Sequence, residues 1–123
     1  MRLERDPSAD GPLIKGFSRG GFRVDDSVYR ALLITPLSAF EWAPPALDAL
    51  DEGALAAMLA LDPAPEFLLL GTGAVLNRPP RALVASLEAR GVGVEAMDSR
   101  AAARAWGVLR QEARWIAGAL YPL

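Results

Sequence analysis

Short runs in which apolar and polar residues alternate fill the first third of the chain. Residues 12–17 predict a strand, residues 18–21, which contain Gly20-Gly21, a hairpin turn, and residues 22–25 a half-buried strand with alternating sides. Residues 28–35 are mostly apolar and predict a central strand stopped by the proline that follows. Residues 37–42 predict one more strand, so this part indicates an antiparallel meander.

Apolar residues recur at helical spacing from Asp51 onward, and strands alternate with helices to the end. Asp51 is the expected N-cap of the first helix, Pro79-Pro80 open the second, and Gly91 ends it. The predicted elements are, in order, a helix around 51–61, a strand at 66–70, a helix from about 79 to 90, a strand at 92–97, a helix from 98 to about 114 and a strand at 116–121.

Strand–helix–strand repeats favour parallel strands joined by right-handed crossovers. We therefore expect an α/β fold in which a central mixed β-sheet is covered by helices, with an extra N-terminal β-meander layer. The 123 residues suit one domain. We assign residues 1–11, which are polar, to a flexible N-terminal arm and residues 12–123 to a single domain.

The chain has no cysteine and no histidine, which excludes disulfides, thiol nucleophiles, Cys/His metal sites and histidine-based catalysis. From this we expect neither catalytic residues nor a metal or cofactor. The net charge of −2 argues against a nucleic-acid partner. The N-terminus lacks a secretory apolar region, and no apolar run reaches the roughly 20 residues of a spanning helix. We expect a cytoplasmic protein without a transmembrane segment.

The strongest loop motif is Gly71-Thr72-Gly73, directly after a predicted buried strand, with Arg78 downstream. Ligands of open α/β sheets bind at this strand end, and glycines let backbone amides approach an anion. A plain strand exit explains the same glycines, because the full dinucleotide-binding pattern is missing. Both interpretations stay open at this point.

Helix 98–114 carries the remaining candidates. Asp98-Ser99 predicts an N-cap more readily than an acid–hydroxyl pair, since no histidine supplies a base. Arg104 and Arg114 belong to arginine pairs spaced four residues apart, which form either a solvated face or a face for an anionic partner. For Arg114 we expect a carboxylate partner such as Glu95 or Glu112.

Three tryptophans and two acidic pairs complete the inventory. Trp42, Trp106 and Trp115 are expected to be buried, although an exposed indole would indicate an interface. The acidic pairs at 25–26 and 51–52 lie at predicted turns or caps and are expected to be structural.

Four segments together resemble a known family. They are LLLGTG (68–73), GVGVEAMDS (91–99), the spacing of Ala102, Arg104, Leu109, Glu112 and Arg114, and IAGAL (116–120). In this order they are similar to the MTH nine-three-eight-like domain family, which includes the mitochondrial NADH dehydrogenase (complex I) assembly factor number three. Where relatives carry Thr-Tyr-Asn and Thr, this chain has Ala105-Trp106-Gly107 and Ser99, which favours a shared scaffold over shared chemistry.

The resemblance implies an α/β scaffold with no established enzymatic activity. It leads us to expect a non-enzymatic binding or assembly module that has a protein partner. Candidate partners are subunits of respiratory complex I or of another membrane complex, which the protein would meet at the inner membrane face. A homodimer is compatible with this expectation. The alternative is a protein or enzyme that binds a small anionic ligand. The candidate ligand-binding residues are Gly71, Thr72, Gly73, Arg78, Ser99, Arg104, Glu112 and Arg114.

Overall fold

The computed structural model describes residues 11–123. The predicted arm, residues 1–11, lies outside this range except for Gly11. Eight strands and three α-helices follow in the described part of the chain.

The first three strands form a small antiparallel sheet. They are β1 (Ile14–Ser18), β2 (Gly21–Val24) and β3 (Ser27–Tyr29). The predicted hairpin is confirmed, since Ser18 pairs with Gly21 across a two-residue turn with positive φ. This backbone twist matches that of the strands it joins. The alternation in β2 is confirmed as well, with one face buried and Arg23 exposed.

The predicted central strand at 28–35 is wrong in one respect, because the chain bends in its middle. β3 ends at Tyr29, and β4 (Leu32–Ile34) belongs to a second sheet. The Glu41 carboxylate accepts from the backbone amides of Arg30 and Ala31 at 3.4 and 3.3 Å. These bonds satisfy the amides at the bend, so the apolar run from residue 31 onward can enter the main core.

The second sheet has five strands in the order β5-β4-β8-β6-β7. The remaining strands are β5 (Ala39–Glu41), β6 (Phe67–Gly71), β7 (Gly93–Met97) and β8 (Ala117–Leu120). β6 runs parallel to β7 and β8, whereas β4 runs antiparallel to β8 and β5. The sheet is mixed, as expected, and the small sheet is the additional β layer.

The helices are α1 (Ala56–Leu59), α2 (Arg81–Ala89) and α3 (Ser99–Gln111). Asp51 caps a 3-10 turn, Glu52–Leu55, that leads into α1. Gly91, at φ +82°, follows the C-cap of α2 as predicted. α3 ends three residues earlier than expected, because Ala113 adopts φ +60° and turns the chain toward β8.

The core lies on both faces of the five-stranded sheet. One face packs against α1 and α2 through Leu55, Met58, Leu83 and Leu87. The other face packs against α3 and the small sheet, with Trp106 and Phe22 fully buried. Two right-handed crossovers in opposite directions place their helices on opposite faces in this way. Both sets of contacts belong to a single domain.

The three tryptophans differ in burial. Trp42 and Trp106 are buried as expected, with their indole N–H groups donating to the carbonyls of Ala54 and Pro12. Trp115 is half-buried and donates to the carbonyl of Pro63 at 2.7 Å. Within residues 11–123, no helix has the length and apolar character required to cross a membrane.

Candidate functional site

The carboxyl ends of the parallel strands bring four of the predicted residues together, namely Gly71, Thr72, Gly73 and Ser99. Ser99, the first residue of α3, is fully buried between the ends of β6 and β8. Its hydroxyl accepts from the Gly73 amide at 2.8 Å and donates to the Tyr121 carbonyl at 2.7 Å. Thr72 lies beside them, with its amide bonded to the Met97 carbonyl at 2.8 Å. The end of the sheet is therefore closed by internal hydrogen bonds.

Gly71 is needed because Ser99 approaches its backbone closely. A Cβ at position 71 would lie 2.8 Å from the Ser99 hydroxyl and 2.9 Å from the Ser99 Cα. Such separations are far inside van der Waals contact, so any larger residue would push α3 away from β6. The glycine that suggested an anion site is thus required for the packing of helix on strand.

The backbone amides of Thr72 and Gly73 already donate within the protein, to Met97 and Ser99. An anion held by these amides would have to displace both bonds. Asp98 acts as the N-cap of α3, because its carboxylate accepts from the Ala101 amide at 2.9 Å. The geometry of the Asp98-Ser99 pair is that of a helix cap, which is one of its two sequence interpretations.

Thr72 also shapes the loop that follows, residues 74–78, called the 74–78 loop below. Its hydroxyl donates to the Val75 carbonyl at 2.7 Å and accepts from the Asn77 amide at 3.0 Å. Thr72 itself is only 6% exposed. The same hydroxyl lies 3.3 Å from the Met97 carbonyl, and its bonds to Val75 and Asn77 fix the loop as a compact turn on the surface.

The 74–78 loop displays two neighbouring apolar side chains. Val75 and Leu76 are each 62% exposed. Of the six large apolar side chains exposed among the described residues, only these two are adjacent in sequence. Sequence reasoning missed them, although two apolar residues inside a loop bounded by Gly73 and Arg78 were the available signal.

A groove of about 510 Å³ runs beside the loop. Its walls are formed by Leu76, Asn77, Arg78, Pro79 and Ala96. Arg78 is exposed at its rim. The loop and the groove thus place exposed apolar side chains next to polar ones, a combination found in protein interfaces.

The other predicted residues lie elsewhere. Arg114 pairs with Glu66, its Nη2 lying 2.8 Å from Oε1, and not with Glu95 or Glu112 as expected. The early end of α3 and the turn at Ala113 carry Arg114 to the start of β6, which explains the different partner. This position is roughly 16 Å along β6 from Gly71, given about 3.3 Å per residue. Arg104 and Glu112 are exposed.

The Arg114–Glu66 ion pair shifts the pKa values of both residues. The hydrogen bond from Arg114, and a second one from the Trp115 amide, hold the pKa of Glu66 below its usual value. The same hydrogen bond and the charge of Glu66 raise the pKa of Arg114. The guanidinium also lies 5.6 Å from the Phe67 ring centroid. The pair is a partly exposed clamp between the end of α3 and the start of β6.

Acidic residues do not gather into a metal site in the part of the chain that the structure describes. Glu52, from one of the acidic pairs, bonds to Arg90 at 2.7 Å and ties the 3-10 turn to α2. The acidic pair at 51–52 is therefore structural, as expected. Burial, with a smaller contribution from Asp48, raises the pKa of Tyr121 to about 12.

The fold and this sheet end define a small single-domain α/β protein with a closed strand edge and an exposed apolar loop. Residues 14–121 match the model of the family described as Protein of unknown function (DUF498/DUF598). The chain belongs to this family.

Two relatives show how far the similarity extends. An uncharacterized protein of Rhodobacter capsulatus is 38% identical over 121 residues, which cover 97% of this chain and 92% of the relative. The NADH dehydrogenase [ubiquinone] 1 alpha subcomplex assembly factor 3 of Danio rerio is 29% identical, over 98% of this chain and 69% of its own. One of these relatives is therefore named as a complex I assembly factor.

Solved structures share the fold. A Bordetella parapertussis protein superposes with a TM-score of 0.82 at 31% identity, covering 94% of this chain and 98% of its own. A Bordetella pertussis protein described as a Mth938-like domain gives a TM-score of 0.77 at 28% identity, over 99% and 92% of the two chains. The resemblance drawn from the sequence is confirmed.

Proposed function

We propose that this protein is a non-enzymatic docking module that assists the assembly of a membrane protein complex. The first candidate for this complex is respiratory complex I. The observation that carries the proposal is the pair of exposed apolar side chains, Val75 and Leu76, on the 74–78 loop. Relatives named as complex I assembly factors supply the class of partner. The loop supplies the surface.

The 74–78 loop is suited to docking because it is ordered before a partner arrives. Thr72 bonds to Val75 and Asn77, and the loop base is fixed through Gly73 and Ser99. A partner that buries Val75 and Leu76 gains the apolar contact without paying to order the loop. Arg78 at the rim adds a charged contact that favours one orientation.

The hydroxyl groups near this site support binding over catalysis. The Ser99 and Thr72 hydroxyls donate to the backbone carbonyls of Tyr121 and Val75. Nucleophilic catalysis needs a hydroxyl that donates to a base, and this chain contains no histidine. We further propose that the protein meets this partner in the cytoplasm, in peripheral contact with the inner face of the membrane.

Complementation in Rhodobacter capsulatus tests the proposal. A strain lacking its 38% identical relative receives this chain, the V75D/L76D variant or the L37D variant. Assembled complex I in the membranes is measured by native electrophoresis and NADH oxidation. We expect this chain to restore assembly and V75D/L76D to fail, because two carboxylates cannot be buried against an apolar partner surface.

Leu37 provides the matched control. It is 68% exposed in the turn between β4 and β5, which belongs neither to the 74–78 loop nor to the groove beside it. L37D should restore assembly as well as the unaltered chain does. Equal restoration by V75D/L76D, at equal protein levels, would contradict docking through the 74–78 loop.

A second candidate is the binding of a small anion in the groove beside the loop. The supporting observation is that Asn77 and Arg78 line the groove and no acidic residue does. A thermal-shift screen with phosphates, nucleotides and carboxylates tests it, since a ligand at 100 times its Kd adds about 2.7 kcal/mol. A shift lost in R78Q would support it, and no shift with any anion would contradict it.

A further inference from the structure

A second surface, distant in sequence from the 74–78 loop, lies between β1 and α3. A cleft of about 170 Å³ opens there. Its lining residues are Ile14, Lys15, Gly16, Phe17, Ala103 and Arg104. The floor is apolar and aromatic, and two cations stand on opposite walls.

A β-bulge directs Lys15 into this cleft. The register between β1 and β2 passes from Ile14–Val24 to Gly16–Arg23, so Lys15 is an extra residue without a partner on β2. Bulges re-aim a side chain and recur beside functional sites. Lys15 is exposed, and it is the one lysine among 13 basic residues.

Three arginines extend the positive charge along the cleft. Arg104 and Arg100 are exposed one turn apart on α3, and the Arg100 guanidinium lies 4.7 Å from the centroid of the Phe17 ring. Gly16 has φ +154°, and a Cβ there would lie 4.0 Å from the Arg23 guanidinium. Because glycine has no side chain, this wall of the cleft leaves the Arg23 guanidinium uncovered.

Among residues 11–123, no carboxylate forms an ion pair with these four cations. None of the residues that line the cleft is acidic. In the described range 11–123, the side-chain ion pairs join Arg90 to Glu52 and Arg114 to Glu66, both away from the cleft. With a net charge of −2 for the whole chain, this positive surface is a local feature and complements a negative partner.

The shape of the cleft decides between kinds of negative partner. Its volume is below the roughly 300 Å³ at which small-molecule pockets begin. Lys15 and Arg104 line the cleft from β1 and α3, while Arg23 and Arg100 lie next to its lining residues Gly16 and Phe17, so the four charges come from three elements. A row of carboxylates on a chain matches this layout, with one apolar side chain resting on Phe17.

We propose that the cleft between β1 and α3 binds an acidic segment of a partner protein, with carboxylates at Lys15, Arg23, Arg100 and Arg104 and an apolar side chain on Phe17. This inference does not depend on the 74–78 loop. It adds a second docking surface whose partner is recognised by charge.

Fluorescence anisotropy with a labelled Glu-rich peptide carrying one phenylalanine tests the proposal on the full chain. We expect K15Q/R104Q to weaken binding about tenfold or more, as loss of two charge-assisted contacts implies. R81Q, which removes an exposed positive charge on α2, should change the Kd less than about twofold. The side chains of Lys15 and Arg104 make no hydrogen bond or ion pair within the described structure, so the double variant should fold normally.

Several results would overturn the inference. The first is that the peptide does not bind, and the second is that K15Q/R104Q and R81Q lose equal affinity for it. Tighter binding of phosphatidylglycerol vesicles than of the peptide through Lys15 and Arg104 would assign the cleft to a lipid surface. Self-association that is lost in K15Q/R104Q would assign it to a second copy. A chain starting at Gly11 that binds the peptide at least tenfold more tightly would assign it to residues 1–10, which contain Glu4, Asp6 and Asp10.

Discussion

Ser99 shows how one residue joins separate parts of the chain. Its hydroxyl connects Gly73, after β6, with Tyr121, after β8, while its own backbone starts α3. The sequence could predict a cap at 98–99, because an acidic residue followed by a hydroxyl before an Ala-rich run is a local signal. It could not predict the bonds of Ser99, because both partners are more than 20 residues away.

Replacement of Ser99 by alanine should destabilise the fold by about 1–3 kcal/mol. The reason is that the Gly73 amide and the Tyr121 carbonyl would lose their partner in a fully buried place. Urea denaturation of the variant measures this difference. Ser27→Ala, at an exposed site, serves as control and should stay within about 0.5 kcal/mol. Equal effects would show that the Ser99 hydroxyl does not hold the strand ends together.

Glu66 should make stability depend on pH. Its pKa is lowered in the folded state by the bonds from Arg114 and the Trp115 amide, so the ionised form stabilises the fold above the unfolded pKa. This contribution is lost as the pH falls below 4.5 and through the lowered value. The urea midpoint of the protein should exceed that of E66Q at pH 7, and this difference should disappear as the pH falls to 3. A difference unchanged by pH would contradict this account.

The 74–78 loop is the element that carries the proposed function. Its position after a buried strand was predictable, since glycines and prolines flank it. Its fixed shape was not, because that depends on where the Thr72 hydroxyl points. The Arg114 partner was mispredicted for a related reason, since a difference of three residues in the end of α3 changed which carboxylate it meets.

Thr72→Val should loosen the 74–78 loop while leaving Val75 and Leu76 in place. Valine has the same shape, but it cannot donate to the Val75 carbonyl or accept from the Asn77 amide. We expect faster hydrogen exchange at the Asn77 amide and reduced complex I assembly in the complementation strain. Exchange as slow as in the unaltered protein would mean that the loop is held by other contacts.

The whole molecule depends on β8, which pairs with β4 from the first half and β6 from the second. The class of fold could be predicted because each strand and helix of the second half has its own periodicity. The bend at residues 30–31 could not, because the apolar run continues through it and only the carboxylate of Glu41, ten residues on, marks the place. The division of the strands between two sheets depends on that bend.

Alanine at two glycines should act in opposite directions. In G118A the new Cβ would lie 2.9 Å from the Ile34 side chain at the centre of the sheet, which should cost about 1–3 kcal/mol. In G107A the new Cβ meets nothing within 4 Å, and alanine inside a helix should stabilise by about 0.5–1 kcal/mol. Thermal unfolding of both variants measures the two signs. A stabilised G118A would contradict the packing of β8 against β4.

Site-specific photo-crosslinking tests the docking account most directly. A benzophenone amino acid is placed at position 76 or at position 37 in the complementation strain, and adducts are identified by mass spectrometry after irradiation. The account predicts adducts with complex I subunits or their assembly intermediates from position 76, and few from position 37. Adducts of equal yield from both positions, or none from position 76 in a strain that assembles complex I normally, would contradict it.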